Sequence, residues 1–447
     1  MNKKVIIIGA GPAGLGTAYS LIEKTDNLDI EIIKKGKDIS DRSCCQQVQT
    51  CNPCGMLYGV GGAGGFSDGK INLDENIGGR LSKFYDGNIE DLISFVFSEM
   101  IIKNSESEIF SVLKNEDKQN DFLQNCLRNG IRFIPLNQYH IGTDNLPTII
   151  RNITSKIKES GIKINTSEEV IDVKHNSNGD KEIITNRRKI IADCVVVNTG
   201  RTGNDLVRKI CDLNDIAYAE REIDVGVRLE FLNETFNDVF SHSYDPKLII
   251  PLNESEKVRT FCTNPSGFVV VEKYPSYIGV NGHAYSKKKS NNTNLAILYS
   301  AKLEGNETGE NYRQIAEQIA KDSGFRPILQ TLHDLKINKS STEFGETVPT
   351  LKRYYQGNIR DYYSFEIVKG IIQGIEILDK VIPGIASDSS LIYSPEIKYR
   401  SVKINLKNDL STGVEGLYFA GDGSGHAGDI IHSAVMGWLI GEKIKNE

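Results

Sequence analysis

The sequence predicts an α/β protein in which a discontinuous parallel-sheet domain is interrupted by an inserted α+β domain. Three observations predict this class. The chain opens with a strand, a glycine turn and a helix in "VIIIGAGPAGLGTA", and it closes with the same succession in "GLYFAGDGSGHAGDIIHSA". Between these two ends, from about residue 218 to residue 389, strand and helix patterns are mixed.

The predicted domain limits follow from these patterns. At 447 residues the chain is too long for one ordinary core. We expect residues 1–217 to form the first part of the parallel-sheet domain, with a helical excursion at about 90–150. Residues 218–389 are expected to form the insert, and residues 390–447 to add the closing strand and helix.

The elements of the first part are predicted in chain order. Val5–Ile8 is an apolar strand, Ala13–Lys24 is a helix and "LDIEIIKKG" is a second strand, which together make a β-α-β unit. Helices are then predicted in "IEDLISFVFSEMIIKN", "NDFLQNCLRNG" and "LPTIIRNITSKIKESG". The stretches "KINTSEEVIDVKH" and "IADCVVVNTG" are expected to be strands that return to the first sheet.

The insert and the closing part have their own patterns. Strands are predicted in "DVGVRLEF", "GFVVVEKY" and "YIGVNGH", and helices in "NYRQIAEQIAKDSG" and "FEIVKGIIQGIEIL". "GVEGLYFAGD" is expected to be the last strand and "DIIHSAVMGWLIGEKIK" the last helix.

Composition excludes two classes of partner. The chain has 53 Lys and Arg against 59 Asp and Glu, a formal net charge of −6, so it offers no basic surface for nucleic acid or for an anionic membrane. The first strand begins almost at Met1 and no apolar run reaches membrane-spanning length. These features predict a soluble, cytoplasmic protein whose partner is a small-molecule substrate.

The first glycine turn has the spacing G-x-G-x-x-G in the context that gives the motif meaning. Gly9 permits the tight turn, Gly11 lets the backbone approach a pyrophosphate, and Gly14 lets helix and strand pack closely. The helix N-terminus, which includes Ala13, then offers unpaired N–H groups and a positive dipole end to phosphates. The motif therefore predicts a nucleotide site.

One residue departs from this pattern. A carboxylate about 20 residues past the third glycine normally accepts hydrogen bonds from the adenosine ribose. Lys34 occupies that position, at the end of the second strand. The lysine is consistent with donation to ribose oxygens, with a preference for a 2′-phosphate, or with a solvated strand end.

A glycine loop in the middle of the first part, "GVGGAGGFSDGK", has no apolar strand before it and no helix after it. A second Rossmann unit is therefore not expected there. The loop is interpreted as a backbone nest of N–H groups for an anion or a ring carbonyl, with a plain flexible loop as the alternative. Its candidate cofactor-binding residues are Gly61, Gly62, Ala63, Gly64, Ser67 and Asp68.

The closing glycine turn is followed by only 19 residues, too few for a second β-α-β unit, and Asp429 is a candidate N-cap for the last helix.

Seven stretches taken in order resemble the FAD-dependent oxidoreductases of the glutathione-reductase fold class, and more narrowly a family of bacterial FAD-dependent dehydrogenases. They are "GAGPAGLGTA", "GVGGAGGFSDGKINL", "IGTDNLPTIIRNI", "VVVNTGRTGND", "IDVGVRLE", "RTFCTNPSGFVVV" and "GLYFAGDGSGHAGDIIHSA". The resemblance implies a Rossmann-like FAD-binding domain with an inserted α+β substrate domain, and one FAD held from both glycine turns.

The resemblance also implies individual contacts. Asp422, after Gly421, is expected at the ribityl or pyrophosphate region, and the turn Gly428, Asp429 and Ile430 at the pyrimidine edge of the flavin. A helix N-terminus there stabilises the negative charge of the reduced flavin.

Four further residues match the family's contacts nearer the nucleotide end. Arg42 is expected to reach the pyrophosphate, Val170 to meet the adenine, and Thr199 and Gly200 to lie near the phosphates. Besides Lys34, the departures from the family pattern are Asp429, where a glycine is usual, and Asn264, where relatives often carry a second cysteine after Cys262.

Four of the eight cysteines lie within one short stretch, "CCQQVQTCNPC": Cys44, Cys45, Cys51 and Cys54. Three interpretations are open. Cys51 and Cys54 form a redox dithiol that passes electrons to the flavin, the four thiols bind zinc or an iron–sulfur cluster, or they are packed as small residues.

The predicted activity is that of an FAD-dependent oxidoreductase that transfers a hydride between an organic substrate and flavin N5, with NAD(P)H as a candidate transient reductant. His426 and His283 are the candidate acid–base groups. Arg228 and Arg400 are candidate clamps for a substrate carboxylate, and Lys70 is a candidate cofactor contact. The alternatives are a thiol–disulfide flavoenzyme that uses Cys51 and Cys54, and a non-catalytic FAD-binding protein.

Overall fold

The structure is a computed structural model that describes residues 2–43, 54–75, 77–111, 115–176, 178–221, 224–301, 309–398 and 402–447. Cys44, Cys45, Cys51 and Arg400 lie outside these ranges.

The strands in the described ranges are, in chain order, β1 (Lys3–Ile8), β2 (Leu28–Lys34), β3 (Lys70–Asn72), β4 (Phe110–Ser111), β5 (Arg132–Ile134), β6 (Gln138–His140), β7 (Lys163–Thr166), β8 (Val170–His175), β9 (Lys181–Thr185), β10 (Lys189–Ala192), β11 (Cys194–Val197), β12 (Tyr218–Ala219), β13 (Asp224–Leu232), β14 (Lys247–Pro251), β15 (Glu256–Asn264), β16 (Phe268–Lys273), β17 (Ile278–His283), β18 (Asn292–Ala301), β19 (Ile328–Thr331), β20 (Leu391–Lys398), β21 (Lys403–Ile404) and β22 (Leu417–Phe419).

The α-helices in the same ranges are α1 (Pro12–Ser20), α2 (Ile89–Met100), α3 (Glu116–Arg128), α4 (Leu146–Glu159), α5 (Asn204–Leu213), α6 (Asn237–Phe240), α7 (Gly309–Ser323), α8 (Leu332–Lys336), α9 (Phe365–Leu378) and α10 (Ile430–Asn446).

A five-stranded parallel sheet, in the order β22-β11-β1-β2-β7, is the centre of the first domain. Its central strands are apolar and buried on both faces, as is expected where helices cover a parallel sheet. The prediction of a Rossmann-like fold is confirmed by this sheet and by the α1 crossover between β1 and β2. The two stretches that were predicted to return to this sheet are each divided between two sheets. Strands β7 and β11 join the parallel sheet, whereas β8 and β10 pair with β9 in a separate antiparallel sheet.

Close contact between α1 and α10 brings the two glycine turns together. A side chain on Gly16 would collide with the backbone of Ala434, and one on Gly437 would collide with the carbonyl of Ala13. Because these positions are glycine, the two helix backbones touch. The turn before α10 therefore lies beside the N-terminus of α1, although more than 400 residues separate them in the chain.

The second domain is built on a seven-stranded antiparallel sheet in the order β19-β20-β13-β18-β15-β14-β5. Helix α9 packs on this sheet through a buried stripe that includes Ile371 and Ile375. The sheet confirms an α+β fold for this part of the chain.

Two strands of this sheet come from outside the predicted limits of 218–389. Strand β5 comes from the predicted helical excursion, and β20 comes from the segment that was assigned to the closing part. The pairing of β20 with β13 is fixed by buried groups, since Tyr393 bonds to Glu230 at 2.5 Å and Glu396 bonds to Arg228. An apolar pattern alone does not say which sheet a buried strand joins.

In the described ranges, every helix is too short or too polar to cross a lipid bilayer.

Candidate functional site

Two adjoining cavities lie where the carboxyl ends of the parallel strands face the second domain. The central cavity, of about 310 Å³, has walls from both domains, and the strand-end cavity, of about 370 Å³, lies at the ends of β1 and β2. Lys34, Thr199 and Arg201 line both. The carboxyl ends of parallel strands are the usual place for ligands in open α/β sheets.

The structure brings most of the predicted cofactor-binding residues to these two cavities. The central cavity is lined by Gly11, Ala13, Lys34, Gly62, Ala63, Gly64, Ser67, Asp68, Thr199, Gly200, Gly421, Asp422, Gly428, Asp429 and Ile430. The strand-end cavity is lined by Gly9, Lys34, Val170 and Thr199. Gly14, Arg42 and Gly61 lie outside both walls.

The first glycine turn has the geometry that its sequence predicts. Gly9 has φ of +104°, and a side chain there would strike the carbonyl of Asn198. A side chain on Gly14 would strike the carbonyl of Gly9. Gly11 differs, because among the described residues a Cβ there would meet only Gly62 Cα, at 3.9 Å. The absence of a side chain at Gly11 therefore leaves space in the central cavity, and close packing within the protein does not require it.

Polar side chains without partners point to a polar ligand in these cavities. Asn198, which is 4% exposed and follows β11, has neither its amide oxygen nor its amide nitrogen bonded to any of the described residues. The Thr199 hydroxyl is likewise without a partner in the described ranges. Buried polar groups are costly when they are unsatisfied, so a ligand with donors and acceptors fits here.

Lys34 is a buried cation that none of the described carboxylates neutralises. It is 9% exposed, and within the described ranges no Asp or Glu oxygen lies within 4.0 Å of its Nζ. Burial lowers the pKa of Lys34 to about 8, and the positive charges of Arg42 and Lys35 act in the same direction. The structure therefore excludes the interpretation of Lys34 as a solvated strand end and leaves it facing a cavity that favours an anion.

Arg42 has a different place from the one that the family resemblance implied. Its guanidinium donates to the carbonyls of Gly55 at 3.0 Å, Met56 at 3.0 Å, Gly62 at 2.8 Å and Val60. The Arg42 side chain lies beneath the middle glycine loop and donates these four hydrogen bonds to it. Arg42 therefore supports the loop and does not reach into the central cavity. The sequence missed this role because the acceptors are backbone atoms of a loop.

Replacement of Arg42 by methionine is expected to lower the free energy of unfolding by about 2–4 kcal/mol, because buried carbonyls lose a charged donor. Arg42→Lys should restore little of this free energy, since lysine lacks the planar guanidinium group that donates to several acceptors at once. Urea unfolding checks this, with Arg128→Met on the exposed end of α3 as the control. An Arg42→Met protein of unchanged stability that no longer binds the cofactor would contradict the loop-supporting role.

The closing turn is held by the contacts of two carboxylates. Asp422 accepts a hydrogen bond from Arg201 at 2.9 Å. Asp429 accepts from the backbone N–H of His432 at 2.8 Å and contacts the His432 ring at 2.8 Å, which confirms the predicted N-cap. The carboxylate that departs from the family pattern is thus engaged in capping α10.

Neither candidate acid–base histidine lines the two cavities. His426 is buried, donates from Nε2 to the carbonyl of Ile404 at 2.8 Å and packs edge-on against Phe84. His283 is buried and contacts Tyr285. Burial lowers the pKa of each ring to about 4, so both are neutral at physiological pH. The structure gives both histidines packing positions, and no contact with the cavities supports an acid–base role.

Cys54, the described member of the cysteine cluster, lies in the wall of a third cavity of about 410 Å³, with Tyr58 and Lys35, and not in the central cavity. Its predicted partner Cys51 falls outside the described residues. The cysteine that does line the central cavity is Cys262, on β15.

A charged cluster from both domains forms one wall of the central cavity. Lys70 bridges Asp68 at 2.8 Å and Asp245 at 3.0 Å, and Lys247 also contacts Asp245 at 2.6 Å. Two carboxylates therefore balance two ammonium groups. Lys70 is committed to this network, and the acidic neighbours keep its pKa above the ordinary value in spite of burial.

Arg228 is not available as the predicted carboxylate clamp. It is fully buried and binds both oxygens of Glu396, at 2.8 and 3.0 Å. It also donates to the carbonyl of Cys262 at 3.2 Å.

Sequence reasoning missed several cavity residues, among them Asn198, Arg201, Cys262, Lys247 and Asn281. Asn198 and Arg201 carried a usable signal, because they flank Thr199 at the carboxyl end of a parallel strand. The residues of the second domain gave no comparable signal, since they meet the cavity only through the pairing of distant strands.

The structure is that of a Rossmann-like parallel-sheet domain with a second, antiparallel domain over the carboxyl edge of its sheet. Residues 222–399, less than half of the chain, match the family model described as "FAD-dependent protein, C-terminal domain-like". This match confirms the predicted resemblance to FAD-dependent proteins, while the narrower glutathione-reductase detail stays a prediction.

One relative and two solved structures illustrate the similarity. An uncharacterized protein of Clostridium beijerinckii is 26% identical, over 99% of this chain and 81% of its own. A crystal structure of CtdE in complex with FAD shares 11% identity, with a TM-score of 0.40 over 100% of this chain and 84% of that one. Glycine oxidase from Geobacillus kaustophilus shares 9% identity, with a TM-score of 0.43 over 100% of this chain and 96% of that one. These structural similarities are too weak to carry an argument about function.

Proposed function

We propose that the protein is an FAD-dependent oxidoreductase that acts on a small organic molecule. The observation that carries this proposal is the convergence of the two glycine turns on cavities that hold a buried lysine and buried polar groups without partners among the described residues. The match of residues 222–399 to a family of FAD-dependent proteins supports FAD as the cofactor.

The residues on the cavity walls fit the two ends of this cofactor. The N-terminus of α1 and Gly11 are proposed to receive the diphosphate, with Lys34 to neutralise it. Val170 in the strand-end cavity is proposed to meet the adenine, and the α10 turn beside Asp422 is proposed to receive the flavin.

FAD, when bound, supplies hydride chemistry at flavin N5, the activity that we propose for the organic substrate. The second domain would cover that substrate. The residues that the second domain contributes to the wall of the central cavity include polar and aromatic side chains, among them Lys247, Lys398, Asn281 and Phe261. Lys247 and Lys398 lie 4.9 and 5.2 Å from the centre of the Phe261 ring.

The visible spectrum of the purified protein tests the proposal, recorded before and after anaerobic titration with NADH, NADPH and dithiothreitol. We expect flavin bands that a nicotinamide or an organic substrate bleaches. A colourless protein that FAD cannot reconstitute would refute FAD binding.

The same titration separates the two alternatives. Bleaching by dithiothreitol alone, lost in Cys51→Ser and Cys54→Ser, would favour the thiol–disulfide enzyme. A bound flavin that no reductant or substrate bleaches would favour the non-catalytic FAD-binding protein.

A further inference from the structure

The side chain of Cys262 is turned into the central cavity by an irregularity in β15. The register of β15 against β18 shifts between Phe261 and Asn264, and Cys262 has φ of +52°, a conformation that non-glycine residues rarely adopt. A bulge of this kind redirects one side chain out of the regular alternation of a strand. Cys262 consequently lines the cavity together with Asp68 and Asn281.

Buried groups hold this conformation in place. The Cys262 carbonyl accepts hydrogen bonds from Arg228 at 3.2 Å and from the Asn264 amide at 2.8 Å. Arg228 is in turn fixed by both oxygens of Glu396. The buried ion pair therefore fixes the backbone that presents the thiol, and strained backbone that its surroundings fix in this way is common at functional sites.

The thiol has a base in contact with it. Cys262 Sγ donates to Asp68 Oδ2 at 3.0 Å, and Asp68 accepts from Lys70 at 2.8 Å. Lys70 is anchored by Asp245 at 3.0 Å and by the carbonyl of Thr263 at 2.7 Å. A reactive group, a base within hydrogen-bond reach and a third group that orients the base are the arrangement from which activated side chains are built.

The charged groups around the thiol keep its proton in place at neutral pH. Burial and Asp68 raise the pKa of Cys262, against Lys70, Arg228 and Lys398, which lower it. The pKa of Asp68 is lowered by Lys70 and by the thiol hydrogen bond, although burial acts in the opposite direction. The resting pair is therefore a thiol that donates to a carboxylate.

We propose that Cys262 and Asp68 form the proton-transfer pair of the oxidoreductase, with Cys262 facing a substrate that has an O–H or N–H group on the carbon that is oxidised. This inference rests on the proposed function, because the hydride chemistry is what FAD supplies. The substrate proton passes to Sγ while the thiol proton passes to Asp68, so that the thiol is regenerated and Asp68 ends protonated. Reduction of the product runs the same transfer in reverse.

Alkylation of the full-length protein by iodoacetamide, resolved by cysteine with mass spectrometry, tests the pair without a known substrate. In the apoprotein, Asp68→Asn is expected to make Cys262 react about tenfold faster at neutral pH, because loss of the carboxylate lowers the thiol pKa and so increases the reactive thiolate fraction. Cys54, which lies in a different cavity, is the internal control and should keep its rate. An unchanged Cys262 rate in Asp68→Asn would overturn the coupling.

Loading with FAD tests the location of the pair. We expect FAD to slow the alkylation of Cys262 at least tenfold and to leave Cys54 unaffected. Equal rates with and without bound FAD would overturn the assignment. Failure to bind FAD at all would instead refute the proposed function, and the Asp68→Asn comparison would still decide whether Cys262 and Asp68 are coupled.

A kinetic comparison tests the proton transfer itself. With the substrate that bleaches the flavin, Cys262→Ala is expected to lower the rate by about 10²-fold or more, and Cys262→Ser by less, because a hydroxyl also relays a proton. A kcat for Cys262→Ala equal to that of the wild type would overturn the proposal.

Discussion

Gly11→Val is expected to abolish tight FAD binding while the protein stays folded. The backbone of Gly11, with φ of −80° and ψ of −175°, is accessible to any residue, and of the described residues a Cβ there would meet only Gly62, whose Cα lies at 3.9 Å. The added side chain would occupy the space through which a diphosphate approaches the N-terminus of α1. We expect the dissociation constant for FAD to rise about 100-fold or more, as loss of charge-assisted hydrogen bonds to phosphate implies.

The neighbouring glycine provides a matched comparison. Gly14→Ala adds a methyl group that collides with the carbonyl of Gly9, so it should lower the free energy of unfolding by about 1–3 kcal/mol. Gly413→Ala, where a Cβ would meet none of the described residues within 4 Å, should change neither property. Flavin fluorescence titration and urea unfolding of the three variants measure both effects. A Gly11→Val protein that keeps wild-type affinity would show that the diphosphate does not lie at this turn.

Lys34→Met is expected to weaken FAD binding by about 10- to 100-fold, because a buried ammonium with no carboxylate partner in the described ranges is available to a phosphate. ADP should lose affinity by a similar factor, and adenosine should not if Lys34 acts on the diphosphate. Lys321→Met is the control, since Lys321 is exposed on α7 and lines neither cavity. Equal losses for ADP and adenosine would place Lys34 at the ribose instead.

The lowered pKa of Lys34 gives this prediction a pH dependence. The folded apoprotein releases the Lys34 proton near pH 8, whereas the unfolded chain holds it up to about 10.5, so the unfolded state binds more protons between these values. The Lys34 contribution to apoprotein stability therefore rises with pH in this window. FAD affinity should fall in the same window, because an anion prefers the protonated lysine. The difference between wild type and Lys34→Met in each quantity isolates the Lys34 contribution.

The sequence predicted the parts of the site that depend on short stretches of chain. The contact of Gly14 with Gly9 and the cap at Asp429 are local, since each partner lies within five residues of chain. The Asp429 carboxylate, for example, bonds to a backbone N–H three residues later. Such contacts form whenever the local conformation forms, so a pattern of residue types predicts them.

Contacts between distant elements were predicted less well. Arg42 matched a family position near a pyrophosphate, yet the structure assigns its donors to carbonyls of the middle glycine loop. His426 lies in the closing glycine turn but packs away from the cavity against Phe84. In both cases the side chain has several sterically possible directions, and only the surrounding chain selects one.

By itself the sequence determined the α/β class, the parallel strands and the glycine turns, because hydrophobic periodicity and glycine spacing act over a few residues. Only the tertiary structure decided that β20 joins the second sheet, that Lys34 is buried with no counter-ion among the described residues, and that Cys262 faces Asp68 across 194 positions of the chain. These features depend on which distant strands pair and on what their pairing buries. The free energy of burial and long-range hydrogen bonding, rather than local preference, places the charged and reactive groups of the site.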